Sequence, residues 1–193
     1  MKSKKKVFFT VLSAVVLVVG SVLGTMAYLT SKTDTVTNTF TAGNVNITLD
    51  EEKVDETGVP VEGAARVKDN VYKLIPGHNY TKDPTVHVTA GSEESWLFVK
   101  VVDEIAGIEA DDTVAAQMAA NGWTAVAGAT NVYAYRTTVT AGQDIKVFDT
   151  FKVKDDAKVA DHAGKTITVE AYAVQADGFG TAAEAWNAAP AWN

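Results

Sequence analysis

The spacing of apolar positions divides the chain near residue 28. From Val7 to about Leu23 the chain is apolar, interrupted only by Thr10, Ser13, Gly20 and Ser21. Beyond Tyr28 a period of two takes over, the spacing of a strand with one covered face. In "NVNITLD", Val45, Ile47 and Leu49 share one face, and Asn44, Asn46, Thr48 and Asp50 the other. "TVHVT" places Val86 and Val88 together, with His87 facing away from them. "NVYAYRTTVT" carries Tyr133 and Tyr135 on one side. "DIKVFDTFKV" alternates Ile145, Val147 and, after Asp149, Phe151 and Val153. "TITVEAYAVQ" alternates Ile167, Val169, Ala171 and Ala173. "SWLFVKVVD" is apolar on both faces, which predicts a central strand covered on both sides. Breaks at Ala42-Gly43, Ala90-Gly91, Ala141-Gly142 and Ala163-Gly164 separate several of these segments. Many short strands with turn signals predict a mostly β chain, an antiparallel jelly roll or β-sandwich.

Two short helical insertions are expected. "DDTVAAQMAANG" is alanine-rich, with Asp111 or Asp112 as N-cap and Gly122 as the stop. "TAAEAWNAAP" has Thr181 three residues before Glu184, a capping-box spacing, and Pro190 just past the end. Both read as lids over the open ends of the sheets. The segment Asp50 to Pro84 is charged, glycine-containing and broken by Pro60, Pro76 and Pro84, and reads as a long excursion between strands. Trp96, Phe98, Phe148, Phe151 and Tyr172 fall in predicted strands and read as core; Trp123, Trp186 and Trp192 fall in or near the helices.

The apolar start changes the picture of the first 27 residues. Lys2, Lys4, Lys5 and Lys6 precede it, and Thr25-Met26-Ala27 follows it. A basic region, an apolar stretch and a small-x-small site make a signal peptide, here an N-terminal signal helix, with cleavage expected between Ala27 and Tyr28. An uncleaved anchor is the alternative, because the stretch is near the lower limit for spanning a bilayer. Residues 28–193 then form one domain, in contact with the membrane only before cleavage.

The full chain of 193 residues has a net charge of −7, and loss of the four leading lysines leaves −11. So acidic a surface repels phosphate backbones and excludes nucleic acid as a partner. There is no cysteine, hence no disulfide, thiolate metal site or cysteine nucleophile. The three histidines, His78, His87 and His162, lack the spacing of a zinc-protease helix. The acidic clusters Asp50-Glu51-Glu52, Asp103-Glu104, Asp111-Asp112 and Asp155-Asp156 lack the spacing of a calcium loop and read as solvated surface. No serine sits in a nucleophile elbow, and no glycine loop suits a phosphate. The residues therefore predict neither an enzyme nor a cofactor or metal site.

Several stretches carry a family resemblance. They are "NTFTAGNVNITLDE", "LIPGHNYTKDPTVHVTAGSEESWLFVKV", Gly122-Trp123, and "ITVEAYAVQADGF" ahead of "AEAW". In this order and spacing they resemble the TasA/camelysin family of exported proteins of Gram-positive bacteria. The resemblance implies a jelly-roll domain outside the cell and a leader cut by a SipW-type signal peptidase. In the TasA branch it implies subunits that polymerise head to tail into biofilm-matrix fibres, the mature N-terminal strand completing the sheet of the next copy. A minor fibre or anchoring protein is a further implied partner.

Carried over by position, that donor strand is residues 28–38. Tyr28, Leu29 and Val36 offer little apolar area to hold it on its own domain. Thr33, Thr35 and Thr37 line one face, with Asp34, Val36 and Asn38 on the other, and threonine favours extended backbone. The segment also reads as a frayed arm or the first strand of its own sheet. Camelysin-type relatives are classed as metallopeptidases, so an extracellular peptidase is the alternative function, and a monomeric adhesin or coat component a third.

Overall fold

The computed structural model describes residues 43–192. The leader, the Ala27–Tyr28 cleavage pair and the whole of 28–38 lie outside them. The described chain is mostly β, with antiparallel sheets and two short α-helices.

The strands are β1 (Ile47–Asp50), β2 (Asn79–Thr81), β3 (Thr85–Val88), β4 (Ser95–Asp103), β5 (Trp123–Ala125), β6 (Val132–Tyr135), β7 (Asp144–Lys146), β8 (Thr150–Lys152) and β9 (Ile167–Gln175). The helices are α1 (Val114–Ala120) and α2 (Ala182–Ala188). Three sheets result, ordered β1-β3-β7, β2-β8 and β5-β6-β4-β9. All ladders are antiparallel.

β4 is the central strand its sequence requires. It pairs with β6 on one side and along all nine residues with β9 on the other. Leu97, Val99 and Val101 face the main core, which gathers Val86, Val88, Ile145, Phe151 and Trp123 from the other strands. Phe98 faces the opposite way into a second cluster with Val132, Val174, Ala185 and Trp186. α2 thus covers a sheet face rather than the open end expected of it. Its capping box is present: Glu184 N–H donates to Thr181 Oγ1 at 3.2 Å, and Thr181 N–H to Glu184 Oε2 at 3.1 Å.

The N-cap of α1 lies one residue after Asp112 and two after Asp111, the expected caps. Thr113 is the N-cap, its Oγ1 accepting from Ala116 N–H at 3.3 Å. Asp111 is instead turned to a positive φ of 55° and bonds Lys152 Nζ at 2.7 Å. The helix stops at Asn121 with Gly122 at φ 92°, as the sequence indicates. Trp123 follows the helix directly, in β5, which packs against the helix, and is buried in the main core.

"DIKVFDTFKV" is two strands in two sheets. Val147 and Phe148, both fully buried, turn the chain between β7 and β8, which destroys simple alternation there. The excursion after Asp50 is more ordered than its composition suggests. It delivers β2 to β8, where Tyr80 stacks on Phe151 with ring centroids 4.7 Å apart. Gly58 passes so close that a Cβ there would meet Tyr80 Cα at 2.8 Å, so only glycine fits.

Candidate functional site

Among the described residues, β9 has a partner on one edge only. Its length sets it apart: of the other outer strands, β1 has four residues and β2, β5, β7 and β8 have three each. Natural sheets usually keep edge strands short or covered, because a long unpaired edge invites another strand. β9 also aims Ile167, Val169, Ala171 and Ala173 at the main core, yet all four are only half-buried. The ladder partners of Val169, Ala171 and Ala173, namely Val101, Val99 and Leu97, are buried. β1 is the strand of the three-stranded sheet that lies against β9. Its inward residues Ile47 and Leu49 are half-buried as well. Ile47, Leu49, Ile167, Val169, Ala171 and Ala173 thus form a half-covered apolar row along the seam between β1 and β9; Tyr72, Leu74, Tyr133, Tyr135, Ala157 and Val159 are half-covered at other borders of the same core.

The seam has polar walls. On β9's outer face Thr168 is exposed, and Glu170 accepts from Trp192 Nε1 at 2.9 Å. Across the outer face of β1-β3-β7, His87 stands in register with Thr48 and Asp144. Its Nδ1 lies 2.6 Å from Asp144 Oδ1 and its Nε2 3.0 Å from Asp50 Oδ1. Burial opposes charge on the ring, but the hydrogen bonds to Asp50 and Asp144 outweigh it and raise the pKa above 6.5. Burial would also raise Asp50; hydrogen bonds from Arg66 and His87 overcome it and hold the carboxyl below 3.8. Arg66 bonds Asp50 as well as Asp83 Oδ2, the latter at 3.0 Å, tying the excursion to β1. These charges clamp three strands together. His78, just before β2, pairs instead with the Thr57 carbonyl at 2.7 Å, and His162 sits in a 3-10 turn at Val159–His162. Among the described residues no group of three His, Cys, Asp or Glu is placed to hold a metal ion.

Two acids of the clusters, Glu51 and Asp103, are not solvated surface, whereas Glu104 is exposed as expected. Glu51 is 4% exposed and bonds Lys82 Nζ at 2.6 Å and Asn70 Nδ2 at 3.0 Å. Asp103, at the end of β4, and Glu109, in the turn leading to α1, form a carboxyl pair at a cavity of about 390 Å³. Ile105 N–H donates to Asp103 Oδ1 at 2.9 Å, and Val114 N–H to Glu109 Oε2 at 3.0 Å. Glu109 Oε1 is buried with no hydrogen-bond partner. Burial, then the Asp103 charge, pushes Glu109 up to about 7; burial likewise raises Asp103. Sequence reasoning missed Glu109. Its signal was a lone acid in the otherwise apolar run "IAGIEA".

The expected cleavage residues Ala27 and Tyr28, and the assembly residues Leu29, Thr33, Thr35, Val36 and Thr37, all lie outside the described residues. Among the described residues no helix is long and apolar enough to cross a membrane. No protein family, characterised protein or solved structure matches the chain.

Proposed function

We propose that this chain is an exported structural protein that assembles head to tail into extracellular fibres of a biofilm matrix or cell surface. The observation that carries the reading is the seam between β1 and β9, a nine-residue edge backed by a half-covered apolar row. In this reading the sheets make a jelly roll with one pairing position, the β9 edge, open in the monomer. Residues 28–38 of a neighbouring copy fill it, adding backbone hydrogen bonds to β9. A donor that leaves its own copy and enters the next gives an interface that does not close, hence a filament.

The resemblance to the TasA/camelysin family and the basic-apolar-small leader support the same reading. A SipW-type signal peptidase would release Tyr28 as the new N-terminus, so that cleavage frees the donor. The role is structural rather than catalytic. Electron microscopy and sedimentation on chains beginning at Tyr28 and at Phe40 test it. Filaments from the first and none from the second are expected. Filaments from both, or from neither across pH and concentration, would refute self-assembly through this segment.

A further inference from the structure

We propose that Lys82, Asn70 and Glu51 form a self-modifying site. The Lys82 amine displaces ammonia from the Asn70 side-chain amide and leaves an isopeptide bond between the two residues, with Glu51 carrying the protons. The proposal is independent of fibre assembly and concerns a different part of the domain.

Three segments of the chain bring these residues together. Glu51 follows β1 and is pinned by backbone hydrogen bonds with Val67 in both directions, each 2.8 Å. Lys82 follows β2, its N–H donating to the Asp149 carbonyl at 3.0 Å. Asn70 lies in the excursion between them. One carboxylate joins the pair: Glu51 Oε2 accepts from Lys82 Nζ at 2.6 Å, and Oε1 from Asn70 Nδ2 at 3.0 Å. The Glu51 and Lys82 side chains are only 5% and 11% exposed, and the centre of the Tyr72 ring lies 5.9 Å from Nζ, so little water competes there. What separates the trio from a plain ion pair is the amide. Its Oδ1 accepts from Val54 N–H at 3.1 Å, a donor that stabilises the oxygen as it takes up negative charge. Its nitrogen donates to the Glu52 carbonyl at 2.8 Å as well as to Glu51, so the leaving group already touches the proton carrier.

The step balances without a co-reactant. Glu51 takes a proton from the Lys82 ammonium, and the neutral amine attacks Asn70 Cγ. As the new C–N bond forms, Glu51 passes its proton to Nδ2, the bond from Cγ to Nδ2 breaks and ammonia departs. The surplus proton on the attacking nitrogen returns to Glu51. In a chain without cysteine such a bond does what a disulfide would do, closing residues 70–82 into a ring and tying the excursion to β2.

Tandem mass spectrometry of a tryptic digest tests this. Trypsin does not cut after an acylated lysine, so the purified full chain should yield residues 69–73 joined to residues 74–100 by a side-chain amide, one ammonia lighter than the two peptides together. Fragment ions should assign the branch to residues 70 and 82. Glu51→Gln should reduce this peptide at least about tenfold, with circular dichroism checking that the variant folds. Lys82→Arg should abolish it. The wild-type digest decides by itself if Glu51→Gln does not fold. A wild-type chain that releases unmodified 69–73 and is cut after Lys82 would overturn the proposal. So would ammonia loss at Asn70 with no branch, or a full yield of the branched peptide from Glu51→Gln.

Discussion

Val99 and Ala171 stand opposite each other in the β4–β9 ladder, yet Val99 is fully buried and Ala171 only half so. Both point into the same core. The difference is position: β4 has a strand on each side, and β9 has one on one side among the described residues. The same contrast holds for Val101 against Val169. The central strand buries its apolar row, whereas β9 keeps the like row at the border of the domain.

The row should therefore respond to charge in assembly before stability. Ala171→Lys puts an ammonium where the proposed neighbouring strand packs, a device that natural edges use against pairing. Half-buried lysine can lead its charge out to water, so the monomer should lose no more than about 2 kcal/mol by urea unfolding. Filament yield measured by sedimentation should drop to background.

Deep in the domain the order of effects reverses. Phe151 is 2% exposed, stacked on Tyr80 and edge-on to Tyr72 at 5.3 Å. Phe151→Ala should cost about 3–5 kcal/mol in urea unfolding through lost burial and the cavity left behind.

The start of α1 separates three cap-competent residues in a row. Thr113→Ala should destabilise by about 1 kcal/mol. Asp112→Ala should stay within about 0.5 kcal/mol, as its side chain is exposed and caps nothing. Equal losses in the two variants would contradict the cap assignment.

Stability should peak on the acidic side of neutrality. Glu109 and Asp103 bind protons more tightly folded than unfolded, so stability falls as pH rises from about 4.5, the ordinary glutamate value, to about 7. The loss is about 1–3 kcal/mol. His87 acts in the same direction. Its raised pKa gives a contribution fully present below 6.5 and lost as pH rises through the folded value. Asp50 acts in the opposite sense, its contribution present above 3.8 and lost as pH falls through the lowered value. Urea midpoints across pH should show Glu109→Gln with a flatter alkaline limb than wild type and a higher midpoint at pH above about 7.

The elements that alternation made legible were those packed on one face. Ile47 and Leu49, Val86 and Val88, and Ile167, Val169, Ala171 and Ala173 all face as the sequence indicates, and the doubly apolar β4 is central. The misses share a cause, namely that distant partners decided the local outcome. Lys152 takes Asp111 away from the helix start, and Val147 with Phe148 turns the chain between two sheets because both side chains are buried. Glu51 read as surface and Glu109 went unnoticed because their burial depends on residues elsewhere in the chain: Lys82 for the first, and Met118, Asn131 and Tyr133 around the second's cavity. The β1–β9 seam was not legible at all. Each strand's pattern is ordinary by itself, and the seam exists only once the two edges are neighbours.

The absence of native cysteine makes the central claim directly measurable. An isotopically heavy chain from Tyr28 carrying Val36→Cys is mixed with light chains carrying Val169→Cys, Ala171→Cys or Ala173→Cys, assembled and oxidised. A disulfide requires Cα atoms within about 7 Å. Heavy–light disulfides from residue 36 to one of the β9 positions, found in the filament fraction by mass spectrometry, are the predicted result. Filaments with no such cross-link at any of the three would contradict donor-strand assembly at the β9 edge.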